Sequence, residues 1–358
     1  MDKNNNIRIK DIAEMAGVSV GTVDRVLHNR GNVSAEAEQK VKKILRKTRY
    51  TPDPIAQSLG SKKDFEIVVI MPHPKQDEYW ALSEAGVSRA RQEWAPYNIN
   101  IQIETFDLNN PDSFARAARQ TLAAKPDAVL TAPVYFDASL TFFKNLQTSD
   151  IPFILFNTQI ETRIKKYDPL CFIGQNLFQS GRVAAELMHI LLPEPGDLAV
   201  MHIHENIDNA MHLKEKERGF RDYYKSVSGS KFAIESFLFP DNEGPIETQI
   251  SQCLDETDLK GIFVPTSSGT FATAKAMQNK DREDIILIGY DLLEENVEFL
   301  KSGTVNFLIN QDPRYQAQQG VKYLANYLLL NWEVPAADLL PLEIITRQNY
   351  QSFLDYKH

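Results

Sequence analysis

Residues 7–50 read IRIKDIAEMAGVSVGTVDRVLHNRGNVSAEAEQKVKKILRKTRY and are followed at 51–63 by TPDPIAQSLGSKK. Ile12, Ala13, Ala16 and Val18 recur at helical spacing, and Gly17 stands where one helix must stop and turn sharply. Ser19 suits the N-cap of a second helix from about Val20 to His28, which carries Val23, Val26 and Leu27 on its buried stripe. Ser34 caps a third, whose Val41, Ile44 and Leu45 close a small core. Two short helices joined by so tight a turn make a helix-turn-helix pattern, in which the second helix lies in the major groove of DNA. Its free face carries Val20, Gly21, Asp24 and Arg25, and the Arg25 fork matches guanine O6 and N7. A three-helix bundle that binds a protein is the alternative for the same stretch.

Charge favours DNA. Residues 1–63 hold thirteen Lys and Arg against seven Asp and Glu, a balance of +6, while the rest of the chain carries −15 within a net −9. A basic lobe on an acidic body meets phosphates through that lobe alone. Lys10, Arg30, Lys62 and Lys63 suit phosphate contacts, or are merely solvated. Next, Asp53 suits an N-cap and Pro54 the first helical position, so DPIAQSL forms a short helix. So few residues are marginal alone, and the segment is expected to fold only when something stabilises it. An ordinary linker is the alternative.

The stretches DIAEMAGVSVGTVDRVLHNRGNVS (11–34) and YTPDPIAQSL (50–59), with the order of segments after them, resemble the lactose-repressor family of bacterial transcription regulators. The resemblance covers essentially the whole chain and is strongest over residues 7–60. It implies that Ser19, Val20, Gly21, Thr22, Asp24, Arg25 and His28 face double-stranded operator DNA. It implies also that residues 51–63 are a hinge whose Leu59 wedges between base pairs in the minor groove, with Ala56 letting two hinge helices approach. Two departures stand out. Asp24 replaces the usual serine, which predicts a different operator preference, and Arg8 replaces the usual capping threonine, at a cost of about 1 kcal/mol.

At 358 residues and 43% hydrophobic content, the chain accommodates a small N-terminal unit and a larger two-lobed body. No apolar leader and no run long enough to span a bilayer is evident, so a cytoplasmic protein without membrane contact is expected. Cys171 and Cys253 lack metal spacing and are expected to be buried thiols. After Lys63, apolar runs at Ile67–Met71, Ile101–Phe106, Ala128–Ala132, Phe153–Phe156, Leu198–Ile203, Gly261–Val264, Ile285–Ile288 and Val305–Ile309 read as strands. Between them, helical stretches include Tyr79–Glu93, Asp112–Ala124, Gln179–Leu192 and Tyr315–Leu330. Such alternation predicts parallel sheets covered by helices. The fold class expected is an all-α helix-turn-helix domain (1–50) and hinge (51–63), then an α/β periplasmic-binding-protein-like domain of type I (64–358) with two parallel-sheet lobes. By the resemblance, the first lobe covers about 64–163 and 308–336, and the second about 164–307 and 337–358.

In open parallel sheets ligands bind beyond the carboxyl ends of the strands. MPHPKQDEYW, after the first strand, offers Asp77, Tyr79 and Trp80, a carboxylate and two rings that suit a sugar, although the rings also suit the core. The resemblance implies an effector site of Asp77, Tyr79, Trp80, Asn157, Lys216, Thr266, Asp291 and Gln311. Lys216 stands where arginine is usual and keeps the charge without the planar fork. Asp291, in GYD after an apolar strand, is the leading candidate, with a helix N-cap as its alternative role.

His202 and His204 share one face of a strand beside Glu205, but no further cluster completes a metal site. GxxxxGK[ST] and GxGxxG are absent, and no catalytic residue and no cofactor are expected. The function expected is a DNA-binding transcription regulator, a repressor rather than an activator, controlled by a sugar or sugar derivative. A homodimer follows from paired half-sites, and no leucine heptad tail follows PLEIITRQNYQSFLDYKH. The alternative is a sugar-binding receptor of a transport system.

Overall fold

The computed structural model describes residues 9–27, 33–48, 63–160, 167–203, 210–227 and 231–356. The chain divides into two units, Met1–Lys63 and Asp64–His358.

In the first unit, α1 (Ile9–Ala16), α2 (Val20–Leu27) and α3 (Ala35–Thr48) enclose Ile12, Ala13, Ala16, Val23, Val26 and Val41. Gly17 has φ +65°, and the backbone N–H of Val18 donates to Ala13 O at 3.0 Å. A residue without Cβ is what that left-handed stop requires. Ser19 Oγ accepts from Thr22 N at 3.2 Å, and Ser34 Oγ from Ala37 N at 3.3 Å, so α2 and α3 both begin on a hydroxyl cap. The Leu27 side chain and Arg8, where loss of the usual cap is expected, lie outside the described residues.

The second unit alternates strands with helices. Its strands are β1 (Phe65–Pro72), β2 (Ile99–Phe106), β3 (Ala128–Thr131), β4 (Phe153–Phe156), β5 (Cys171–Gly174), β6 (Asp197–Ile203), β7 (Ala233–Phe239), β8 (Leu259–Phe263), β9 (Ile286–Tyr290), β10 (Phe307–Asn310), β11 (Ala337–Leu339) and β12 (Glu343–Ile345). The helices are α4 (Glu78–Trp94), α5 (Pro111–Ala124), α6 (Phe136–Thr148), α7 (Leu177–Leu191), α8 (Met211–Ser226), α9 (Ile246–Glu256), α10 (Ser267–Asn279), α11 (Glu294–Ser302), α12 (Pro313–Leu330) and α13 (Tyr350–Tyr356). One six-stranded sheet runs β11-β5-β4-β3-β1-β2 and the other β12-β10-β9-β8-β6-β7. Every neighbouring pair is parallel except β10 with β12. Strands β1, β3, β4 and β5 are buried almost throughout, as a parallel sheet covered on both faces requires.

The expected lobe limits of 64–163 with 308–336 and 164–307 with 337–358 shift at each crossing. Cys171–Gly174 pairs with β4 and Ala337–Leu339 pairs with β5, so both belong to the first lobe. Phe307–Asn310 pairs with β9 and belongs to the second. A strand joins the sheet that satisfies its backbone donors and acceptors, and this pairing is long-range information. The chain thus crosses between lobes after β5, after β10 and after β11.

Helices α7 and α8 pack backbone to backbone in the second lobe. A Cβ placed on Gly181 would lie 1.8 Å from Lys216 O, and one on Gly219 would lie 1.9 Å from Phe178 O. This close crossing holds the turn of α8 that carries Lys216. Gly219→Ala is expected to force the helices apart and lower stability by about 1–3 kcal/mol in denaturant unfolding. An unchanged midpoint would show that the crossing yields freely.

Cys171 and Cys253 are free and buried, and burial pushes their thiols up to about 12 and about 11 respectively. Among the described residues, no helix is long and apolar enough to cross a membrane.

Candidate functional site

In the first unit, α2 exposes Val20, Gly21 and Arg25, while Val23 and Val26 face the core. The Ser19 and Thr22 hydroxyls lie 2.9 Å apart, so the two polar residues at the start of α2 are hydrogen-bonded to each other. The Asp24 side chain, His28 and the hinge residues Ala56 and Leu59 lie outside the described residues.

In the second unit, the candidate effector residues sit where strands end and helices begin. Asp77 precedes α4, and its Oδ1 accepts from Tyr79 N at 2.8 Å, so this carboxylate caps the helix. Trp80 is 5% exposed and meets Tyr79 and Phe156 edge-on at centroid distances of 5.0 and 6.2 Å. That geometry makes Trp80 part of the first-lobe core. Tyr79 differs in its polar end, for its hydroxyl is buried beside the Gln316 amide without a well-formed hydrogen bond. Burial, then the nearby carboxylates of Asp291, Asp77 and Asp312, push the Tyr79 hydroxyl well above its usual range. A first-lobe tyrosine therefore lies within electrostatic reach of a second-lobe carboxylate.

Asp291, at the end of β9, has φ +60° and is 1% exposed. Its Oδ1 accepts from Gln311 N at 2.8 Å, and its Oδ2 accepts from Gln311 Nε2 at 2.7 Å and from Ser267 Oγ at 2.5 Å. Burial raises its carboxyl, while these donors and the Lys216 ammonium oppose that rise. The carboxylate thus ties β9 to the crossing segment and does not cap α11, whose N-cap is Leu293. Lys216 is 2% exposed, donates from Nζ to Pro265 O at 2.8 Å, and lies 3.6 Å from the Tyr290 ring centre. Tyr290 in turn shares a 2.6 Å hydrogen bond with Ser180. A cation so desolvated persists only when carbonyl, ring and carboxylate together replace its water.

Asn157 ends β4 with φ +65°, and its backbone N–H meets Ile173 O at 3.0 Å and Gln316 Oε1 at 2.9 Å. Gln316 Nε2 donates to Gln311 O at 2.7 Å, which completes a chain from Asn157 through Gln316 and Gln311 to Asp291. Thr266 Oγ1 accepts from Gly269 N at 3.3 Å and caps α10, leaving the adjacent Ser267 to face Asp291.

The structure thus brings together Tyr79, Lys216, Asp291 and Gln311, links Asn157 to them, and uses Asp77 and Thr266 as caps. Ser267, Tyr290 and Gln316 complete the constellation and were not singled out in the sequence. Tyr290 stands inside the GYD signature, and Gln316 lies one turn beyond Pro313, so only their facing was hidden. One carboxylate, one ammonium and several amide and hydroxyl groups brought together in this way can orient a polyhydroxylated ligand.

His202 lies 2.8 Å from Glu217, whose other oxygen accepts from Arg221 Nε and Ser236 Oγ at 2.6 Å each. His202 is thereby engaged in a protein network, while His204 and Glu205 lie outside the described residues.

Comparison with known proteins matches residues 8–53 to the model described as "Bacterial regulatory proteins, lacI family" and residues 67–330 to "Periplasmic binding protein domain". The chain is 24% identical over 288 residues to the ribose operon repressor of Halalkalibacterium halodurans, covering 79% of this chain and 80% of that one. It is 24% identical over 297 residues to catabolite control protein A of Priestia megaterium, covering 80% and 82% of the two chains. A crystal structure from Bacteroides fragilis, described as a LacI transcriptional regulator, superposes with a TM-score of 0.75 at 28% identity. It covers 83% of this chain and 100% of its own. The glucose-galactose binding protein GanP of Geobacillus stearothermophilus shares the fold, with a TM-score of 0.69 at 19% identity over 80% of this chain and 99% of its own.

Proposed function

Because the chain belongs to the lacI family of bacterial regulatory proteins, we infer that it is a sequence-specific DNA-binding transcription regulator that responds to a sugar or sugar derivative. The observation that carries this reading is the union, in one chain, of a helix-turn-helix unit and a two-lobed body whose cleft holds a buried Asp291 carboxylate. The family is one of regulators rather than enzymes. Repression is the direction favoured by the ribose operon repressor among its relatives.

At the DNA end, Arg25 reads guanine from the exposed face of α2, with Ser19, Val20, Gly21, Thr22, Asp24 and His28 beside it. Ala56 and Leu59 serve the hinge, and a homodimer in the cytoplasm presents two heads to two half-sites. At the effector end, Asp291, Lys216, Gln311 and Tyr79 hold the ligand, with Asp77, Trp80, Asn157 and Thr266 shaping the site around them. A ligand shifts an equilibrium only by its differential affinity for the two states. The effector therefore binds the DNA-competent and DNA-incompetent lobe arrangements unequally, and the Asp291–Gln311 bonds are where that inequality reaches the crossing segments.

The test is binding of purified protein to genomic fragments over a salt series, with and without a panel of sugars, sugar acids and polyols. A salt-sensitive preference for particular fragments that one panel member alters is the expected result. Binding equal for all fragments at every salt concentration would refute the regulator. A preference that no panel member changes would refute the sugar effector. Arg25→Ala is expected to cost about 1–3 kcal/mol of discrimination at one base pair, read as relaxed sequence preference.

A further inference from the structure

The two lobes are joined by three short links. Residues 175–176 carry the chain from β5 into α7, residues 311–312 from β10 into α12, and residues 340–342 from β11 into β12. The first two end directly on helix caps, for Asn176 Oδ1 accepts from Gln179 N at 2.9 Å and Asp312 Oδ1 from Tyr315 N at 3.3 Å. A rotation of one lobe against the other must therefore be absorbed by the dihedral angles of very few residues. The links surround a cavity of about 250 Å³ that Gln175, Gln311, Asp312 and Pro341 help to line.

Gln175 is 3% exposed. Its Nε2 donates to Asn310 O, where the second link begins, and to Pro341 O within the third, both at 2.8 Å. One amide on the first link thus holds the other two. A flipped amide would set its oxygen against two carbonyl oxygens, so the two bonds fix its orientation. Its Oε1 is left buried without a hydrogen-bond partner. A buried acceptor left open is unfavourable, and what offsets it here is the pair of bonds that the nitrogen makes. Other bonds join the links in pairs: Leu340 N donates to Gly174 O at 2.8 Å, and Asn310 Nδ2 donates to Glu343 Oε2 at 2.5 Å.

We propose that Gln175 is the pin of the interlobe hinge, a positioning residue that makes the three links turn as one and so confines lobe motion to a single path of opening and closing. Asn310 directly precedes Gln311, whose main-chain and side-chain nitrogens both hold the Asp291 carboxylate. A shift of Asp291 on binding an effector therefore reaches Asn310 and, through the pin, the first and third links. This last step rests on the effector reading of the Asp291 site, whereas the pin itself is tested with no effector present.

Nitroxide labels on Lys75→Cys and Glu243→Cys, at exposed positions beyond the ends of β1 and β7, report the distance between the lobes of the full chain by pulsed dipolar spectroscopy. The native thiols of Cys171 and Cys253 are buried. A label pair at Lys75 and Lys144, both in the first lobe, is the control. Gln175→Met keeps the length of the side chain and removes both donors. Gln175→Asn keeps the amide but is one methylene shorter, which takes its nitrogen out of reach of at least one carbonyl. The expected result is an interlobe distance distribution about twice as broad in Gln175→Met as in the parent, an intermediate width in Gln175→Asn, and an unchanged control pair. Parental width in folded Gln175→Met overturns the proposal, and where that variant does not fold, parental width in Gln175→Asn does so. Equal broadening of the control pair overturns it too, since that would mark a general loosening of the fold.

Discussion

Replacing Asp291 by Ala is expected to abolish the thermal stabilisation that a sugar-like effector confers, while leaving DNA affinity without effector largely intact. A ligand at a hundredfold its dissociation constant adds about 2.7 kcal/mol to stability, and the whole of that increment is expected to vanish. Two causes combine. The substitution removes the acceptor that faces the cleft beside Tyr79 and Lys216, and it releases Gln311 N, Gln311 Nε2 and Ser267 Oγ from their common partner. Donors left without an acceptor cost about 1–3 kcal/mol in the free protein. Loss of a desolvated carboxylate offsets part of this, since burial holds the Asp291 carboxyl above its ordinary range. The measurement is a pair of melting curves, with and without effector, for the variant and its parent. A shift that survives in the variant would refute the role assigned to Asp291.

The second large effect concerns acid stability. Burial pushes the Glu217 carboxyl up, but hydrogen bonds from His202, Ser236 and Arg221 outweigh it and hold the group at about 2 against an ordinary 4.5. A carboxyl lowered on folding stabilises the protein above its unfolded value, and the contribution is lost as pH falls towards the folded one. The window accordingly runs from 4.5 down to about 2, and the depression is worth about 3 kcal/mol. Glu217→Gln is expected to lower stability at neutral pH by an amount of that order and to flatten the acid limb across the window. Denaturant unfolding at stepped pH reads both effects, and parallel acid limbs in variant and parent would count against the network. Because Glu217 neighbours Lys216 on α8, the same network keeps that helix against β6 and β7.

Much of the first unit was legible in the residues. The apolar spacing of Ile12, Ala13 and Ala16, the stop at Gly17 and the caps at Ser19 and Ser34 all act within a few residues of one another. In the body, eight apolar runs marked eight of the strands to within about two residues at each end. The others were less visible for stated reasons. β5 has four residues, β7 is largely exposed at a sheet edge, and β11 and β12 have three residues each. The polar helix α8 carries too few apolar residues to announce its period, although Leu213, Phe220 and Tyr224 are buried on it.

The candidate site divides in the same way. Asp291, Lys216 and Gln311 were named as candidates through the resemblance, whereas the roles of Asp77 and Thr266 as caps, and of Trp80 as core, were settled by packing. Ser267 and Gln311 lie 24 and 20 residues from Asp291, a separation at which nothing local in the chain records that they meet.

By itself the sequence determined the first unit's helices with their caps at Ser19 and Ser34, the alternation that demands parallel sheets, and the contrast between a basic head and an acidic body. Only the tertiary structure decided which sheet each crossing strand joins, which donors claim the Asp291 carboxylate, and that Gln175 draws three distant segments around one cavity. The physical reason is range: caps and periodicity are satisfied within a turn or two of chain, whereas the pairing of buried polar groups is fixed only when segments far apart in sequence are packed together.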